Sequence, residues 1–490
     1  MNERGDARPG LGSPFKRRSL AGERMRELYL GAALVGVIAL TVLVESASAP
    51  VTRPEVIQVT ESYVERATFC PPTVDEDGAN GSFAVASASG DATPIDFETA
   101  RGPLEESPPP PGFEELDAGS FTARRSKEGA ASNVVGYGEH VVAGAAATFE
   151  SPAEGAASAR CSESASDSWY FPAGSSELGF DERILLYNPS ADEAVASVSF
   201  FTPSGDISRA SLNDVAVPSG SWTEIEVNDF VNTQRLLSAK VEVERGRIIA
   251  WRALFAKPEG EQRGVSLSLG ATEPSNTWYF PEGFVGSDAG ETLTILNPGS
   301  EESTANVSLF SSKGNLRLPQ DLLQITLEPE TSRNVSLSKV ESPTGAELEH
   351  VSAVVTASEG AEIVVERTLS LAGVPYEGVA MEVGLTRRST RWLLPPPIAD
   401  SAANTLALYN PTGTTATVDI SLLSEEGLQT RDSLSNLKIK PGRRRQTFIA
   451  RDESLFVAVE SDAPIVAERL SYSGADIADT MGQPVTVPPK

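Results

Sequence analysis

Three short markers recur in the same order, and this repetition constrains the chain to a modular fold more than any other feature. Trp169-Tyr170-Phe171-Pro172 returns as Trp278-Tyr279-Phe280-Pro281 and, weakened, as Trp392-Leu393-Leu394-Pro395, at spacings of 109 and 114 residues. A second marker follows each tryptophan: Leu186-Tyr187-Asn188-Pro189, Ile295-Leu296-Asn297-Pro298 and Leu408-Tyr409-Asn410-Pro411. A third closes each unit: Ile249-Ala250-Trp251-Arg252, Val364-Val365-Glu366-Arg367 and Val466-Ala467-Glu468-Arg469. The stretch before Trp169 reads as a fourth, degenerate copy. Phe69-Cys70-Pro71 stands where W-Y-F-P would begin, and Val141-Val142-Ala143-Gly144 has the late marker without its Arg.

Within a unit the apolar pattern has a period near two. Trp222-Thr223-Glu224-Ile225-Glu226-Val227 and Ala239-Lys240-Val241-Glu242-Val243 alternate as strands with one wet face do. Pro203-Ser204-Gly205, Pro218-Ser219-Gly220 and Pro441-Gly442 mark turns. Seven or eight strands per ~110 residues predict an all-β chain of tandem immunoglobulin-like β-sandwiches. A propeller blade has only ~40–50 residues, so the units are read as whole domains. The predicted sandwich repeats are 67–167 (degenerate, with the Pro-rich loop Ser107 to Gly112), 168–276, 277–390 and 391–490. Recurrent Asn-Pro predicts a strand end with the Asn side chain bonded to nearby backbone. Gly270 and Gly384, each eight residues before a tryptophan, are read as turn or bulge positions.

Ahead of the repeats lies a run of 17 residues without a charge, Leu28 to Val44. A helix of that length, at ~1.5 Å per residue, is at the short end of what crosses a bilayer. Residues 1–27 before it carry a net charge of +3, and the chain after it −31. The positive-inside rule then expects a cytoplasmic basic tail, a single membrane pass at 28–44, a linker at 45–66 and an extracytoplasmic bulk. The rival reading is a signal peptide cut after Ala47-Ser48-Ala49. Both readings place the repeats outside the cytoplasm. Cys70 and Cys161 are the only cysteines, and both follow the apolar run, so a disulfide is expected.

Several chemistries are disfavoured by composition. A net charge of −28 argues against nucleic-acid partners. With two His and two Cys in 490 residues, neither a zinc centre nor a His-based catalytic apparatus is expected. His140 and His350 have no equivalents in other units and read as surface or strand-end residues. Asp75-Glu76-Asp77-Gly78-Ala79-Asn80 has oxygen ligands at alternate positions, but Ala79 and Ala86 stand where an EF-hand needs ligands. It reads as a solvated acidic turn. No catalytic, cofactor or metal residues are therefore assigned. Trp169, Tyr170, Phe171 and Trp278, Tyr279, Phe280 either stack on sugar rings or plug the core or the joint between consecutive units, and the second, structural role is expected. Arg252, Arg367 and Arg469, flanked by apolar neighbours, are expected to donate to carbonyls or a carboxylate.

The ordered W-Y-F-P, L-Y-N-P and V-E-R markers resemble those of a secreted or membrane-anchored actinobacterial family, the domain of unknown function 5719. They are also similar to the W-Y-F-A-E-G repeats of bacterial surface proteins. The resemblance implies a cell-envelope location and brings no activity with it. The expected function is a non-enzymatic, membrane-anchored envelope protein: an extended, acidic row of modules that contacts other envelope proteins. The alternative is an array of wall-glycan-binding modules.

Overall fold

The computed structural model describes residues from Glu65 to Val485 apart from short internal stretches, among them 75–79, 101–111, 126–131 and 397–402. Leu28 to Val44, Asp75 to Ala79 and His140 lie outside the described residues. Among those described, no helix is long and apolar enough to cross a membrane. The fold is all-β, and among the described residues Gln320–Leu323 is the one turn of α-helix.

All four copies have the same plan. In the second, strand 1 is Ser168–Phe171, strand 2 Phe180–Asn188, strand 3 Ala194–Thr202 and strand 4 Val215–Val217. Strands 5 to 8 are Ser221–Glu226, Ser238–Arg245, Ile249–Ala256 and Gly264–Leu269. One antiparallel sheet runs 4-3-6-1 and the other 5-2-7-8. The degenerate copy repeats both orders, from strand 1 at Glu65–Cys70 to strand 8 at Gly155–Arg160. In the third, strand 1 is Thr277–Phe280, strand 7 Val364–Gly373 and strand 8 Tyr376–Val383. In the fourth, strand 1 is Ser389–Leu394 and strand 8 Asp476–Met481, while strands 6 and 7 merge into one strand, Phe456–Ser473, that serves both sheets. An immunoglobulin constant domain stacks 1-2-5-4 on 3-6-7. Here strand 1 leaves strand 2 for strand 6, and strand 7 takes its place beside strand 2. The architecture is thus a two-sheet sandwich with its own strand order.

The modules do not form an extended row. Each strand 8 lies at a sheet edge, and the four edges meet. Gly155–Arg160 packs on Gly264–Leu269, which packs on Tyr376–Val383, which packs on Asp476–Met481, which returns to Gly155–Arg160. The expected linear array is therefore a closed ring around the four eighth strands. Small residues permit this. A Cβ on Gly155 would come within 3.0 Å of the Val265 nitrogen, and one on Gly264 within 3.0 Å of the Val379 nitrogen. Length excluded a four-stranded blade, but it did not exclude a wheel of complete sandwiches.

Apolar packing crosses the junctions as well. Tyr170, Phe201 and Ala271 of module 2 join the core shared by modules 3 and 4. Ala84, Ala86 and Phe121 of module 1 pack with Leu393, Leu423 and Phe456 of module 4, with the Phe121 and Phe456 ring centres 5.7 Å apart. That last cluster closes the ring.

Candidate functional site

The recurrent side chains divide between module cores and module junctions. Each tryptophan is buried and fixed by its indole N–H. Trp169 donates to the Ile248 carbonyl (2.9 Å), Trp278 to Ile363 (2.8 Å) and Trp392 to Ile465 (3.1 Å). Phe171 and Phe280 are also buried, each with its ring tip against the glycine that follows its own strand 8. A Cβ on Gly270 would stand 2.8 Å from the Phe171 ring, and one on Gly384 2.6 Å from Phe280. Each glycine follows strand 8 directly, its N–H donating to a strand 7 carbonyl (Ala250 or Val365, both at 3.2 Å), and it is required there for close approach to the ring, where a turn had been expected. The register places Cys70 where Phe171 stands and Cys161 where Gly270 stands, because Phe69 bridges Ser162 as Tyr170 bridges Ala271. Cys70 and Cys161 are joined, with a Cα–Cα distance of 4.3 Å. In module 1 a covalent bond therefore occupies the place of the ring–glycine contact.

Pro172 and Pro281 offer their carbonyls to the hydroxyls of Ser238 and Ser352. Tyr170 is buried and Tyr279 half-buried against the next module. The three Asn-Pro markers share one geometry. Asn188 donates to Asp192 (2.7 Å) and Val217 (3.0 Å), Asn297 to Glu301 (2.8 Å), and Asn410 to Thr414 (2.8 Å) and Ile439 (2.8 Å). Each side-chain oxygen accepts a backbone N–H two residues on, across Pro189, Pro298 or Pro411. The asparagine thus completes the strand end and the turn after it.

The late marker forms the charged part of the junctions. Neighbouring residues on a strand face opposite ways. On strand 7 of module 3, Glu366 faces back to module 2 and Arg367 forward to module 4. Arg252 makes a buried two-pronged pair with Glu366, which also accepts the Ala173 N–H at 2.8 Å. Arg367 does the same with Glu468, which accepts the Glu282 N–H at 2.6 Å, and it also binds Asp479. Arg252 lies 5.6 Å from the Phe171 ring centre and Arg367 5.8 Å from that of Phe280. Across the axis, Arg160 reaches Glu382 at 3.2 Å. Arg469 departs from this plan. Its partners are Asn404 (2.8 Å), the Leu455 carbonyl (2.7 Å) and the Pro395 carbonyl, and its Nη2 has none among the described residues. The register puts Gly144 of module 1 where Glu366 and Glu468 stand, so the fourth junction has no carboxylate at this point.

Strand 2 contributes a further acid. Glu182 accepts the Ser175 N–H at 2.8 Å, and Glu291 accepts that of Phe284. Gly174 and Gly283 leave room for these carboxyls, since a Cβ on either would meet an oxygen at 2.5 or 2.6 Å. Module 4 has Asn404 at this position of strand 2. Burial pushes Glu182, Glu291 and Glu382 up to about 8, against the pull of Arg252, Arg367 and Arg160 respectively. Burial also raises Glu468, which shares Arg367 with Asp479. Desolvation lowers Arg469 to about 9. Burial thus works against ionisation of Glu182, Glu291, Glu382 and Glu468, because a dry interior does not readily support so many anions. None of these acids was singled out by sequence reasoning, although Glu366 and Glu468 lie inside the quoted late marker.

His350 is also a junction residue. Its Nδ1 lies 2.8 Å from Glu282, which also accepts from Arg444 at 3.0 Å and from the Gly283 N–H at 3.1 Å, and its ring is 4.7 Å from Phe284. Burial alone would raise Glu282, but Arg444 and His350 outweigh it and hold the carboxyl at about 2. Among the described residues no cluster of three His, Cys, Asp or Glu side chains is arranged to hold a metal ion.

A family model matches residues 135–357 and again residues 251–488. The chain belongs to the DUF5719 family, a family of unknown function. The two matches overlap and begin 116 residues apart, about one module, so the model slides along the DUF5719 chain by one repeat. A comparison with curated proteins gives no match. Among solved structures, the chain is similar to Thermotoga maritima 1070, at 17% identity and a TM-score of 0.19, over 23% of this chain and 95% of that one.

Proposed function

We propose that this protein is a non-catalytic scaffold of an actinobacterial cell envelope. In this reading Leu28–Val44 anchors it in the membrane, with its basic tail in the cytoplasm and the sandwich ring outside, where it meets other envelope proteins. The supporting observation is how the signature residues are used. Trp169, Trp278, Trp392, Arg252, Arg367 and Arg469 are all buried in module cores and junctions, so the repeats maintain a framework and leave an acidic exterior for partners. Buried tryptophans with occupied N–H groups also weigh against the aromatic-platform version of a glycan-binding array.

Protease treatment of intact cells carrying a tag at each end tests the topology. The C-terminal tag is expected to be cut and the N-terminal tag protected, whereas protection of both would rule out the proposed orientation. Cross-linking in intact envelopes is expected to capture a reproducible set of exported proteins. A chain that cross-links to none would not be a scaffold.

A further inference from the structure

Two junctions of the ring follow one plan, yet one is filled and the other open. After W-Y-F-P the third module continues Glu282-Gly283-Phe284 and the second Ala173-Gly174-Ser175. Phe284 is fully buried against Leu369 and Leu371 of its own module and Leu470 and Ile477 of module 4, with His350 beside it. Ser175 fills no such space. Between modules 2 and 3 there remains a cleft of about 490 Å³, lined by Ser175 and by Leu254, the register equivalent of Leu369.

The facing wall has changed together with the plug. Where module 4 presents Leu470 and Ala407, module 3 presents Thr368 and Thr294. Thr292 lies opposite Thr368, and Thr294 opposite Asn334, so these four side chains form one polar strip along the cleft. Thr294 donates to Asn334 Oδ1 at 2.7 Å, which directs the Asn334 amide N–H groups elsewhere. The other wall is apolar: Leu236, Leu254 and Phe180. Arg235 and Glu177, of opposite sign, stand exposed. A packing defect would require only a lost ring. Here the loss comes with hydroxyl and amide groups set along one wall, opposite apolar side chains.

We infer that the cleft between modules 2 and 3 binds an uncharged sugar ring. Its hydroxyls meet the Thr368–Thr292–Thr294–Asn334 strip, and its apolar face lies on Leu254 and Leu236. The volume falls within the ~300–1,000 Å³ of small-molecule sites and suits a mono- or disaccharide. The site does not depend on the scaffold role, and either can fail without the other.

The test is saturation-transfer NMR on the full-length chain with D-glucose, D-galactose, D-mannose, L-arabinose and N-acetyl-D-glucosamine, and with D-glucuronate as the charged control. At least one neutral sugar is expected to receive saturation, and more than D-glucuronate does. Ser175→Phe, which rebuilds the plug of the next junction, is expected to reduce the transfer at least tenfold with an unchanged or higher melting temperature. If that variant does not fold, Thr368→Leu decides, with the same loss expected. No transfer to any of the five sugars overturns the inference. So does undiminished transfer in the folded variants, or a preference for the charged sugar.

Discussion

The first module and the second solve the same packing problem with different chemistry. In module 2 a phenyl ring abuts a glycine, with Arg252 over the ring and Glu366 of the next module pairing the arginine. In module 1 a disulfide takes the place of ring and glycine, and Gly144 takes that of the carboxylate facing back around the ring. What recurs is the position in space, while the interaction at that position is replaceable. Each replacement has a consequence for its neighbour: the absent carboxylate leaves Arg469 of module 4 with an Nη2 unpartnered among the described residues.

The largest expected effect concerns the covalent version. Cys70→Ala with Cys161→Ala removes a cross-link at a sequence separation of 91, worth roughly 4–5 kcal/mol in the loop-entropy model. Cys70→Phe with Cys161→Gly, which copies module 2, is expected to lose less in urea unfolding. Equal losses would show that the two solutions are not interchangeable. Next come the arginines. Arg252→Met and Arg367→Met leave carboxylates buried without a counter-ion and are expected to cost about 3–5 kcal/mol. Arg469→Met removes a guanidinium that faces no acid but donates to Asn404 and to the Pro395 and Leu455 carbonyls, and its expected cost is about 1–3 kcal/mol. A comparable cost at Arg469 would break the contrast between the fourth junction and the others. Gly270→Ala pushes a methyl group into Phe171, at an expected cost of about 1–3 kcal/mol.

The pH dependence supplies a test of sign. Glu182, Glu291 and Glu382 titrate near 8 when folded and near the ordinary carboxylate value when unfolded. Between these values the folded chain holds more protons, so stability falls as pH rises from about 4.5 to about 8. Glu282, held at about 2, acts in the opposite sense and loses its contribution only as pH falls below the ordinary carboxylate range towards 2. Melting scans across this range should show the decline, and Glu182→Gln with Glu291→Gln should flatten it.

The strand content, the repeat and the Cys70–Cys161 bond were all legible from residue patterns. Alternation reports which face of a strand is wet, and marker spacing reports the length of a unit. Ring closure was not legible. It depends on sheet edges meeting across hundreds of residues, and its local mark is only small residues such as Gly155-Ala156-Ala157 and Gly264-Val265-Ser266. The acids Glu182 and Glu291 were hidden for a related reason. Their importance lies in the room left by Gly174 and Gly283, a contact seven or eight residues away that no periodicity reveals.

Because Phe121 rests on Phe456, the wheel keeps a free rim until its last quarter has been synthesised. A chain emerging N-terminus first must hold its opening sandwich ready, with one flank bare, while three further sandwiches appear. The cystine bolt sits in that waiting piece, the copy whose sequence departs most from the pattern, and it keeps the socket in shape for a partner that arrives last.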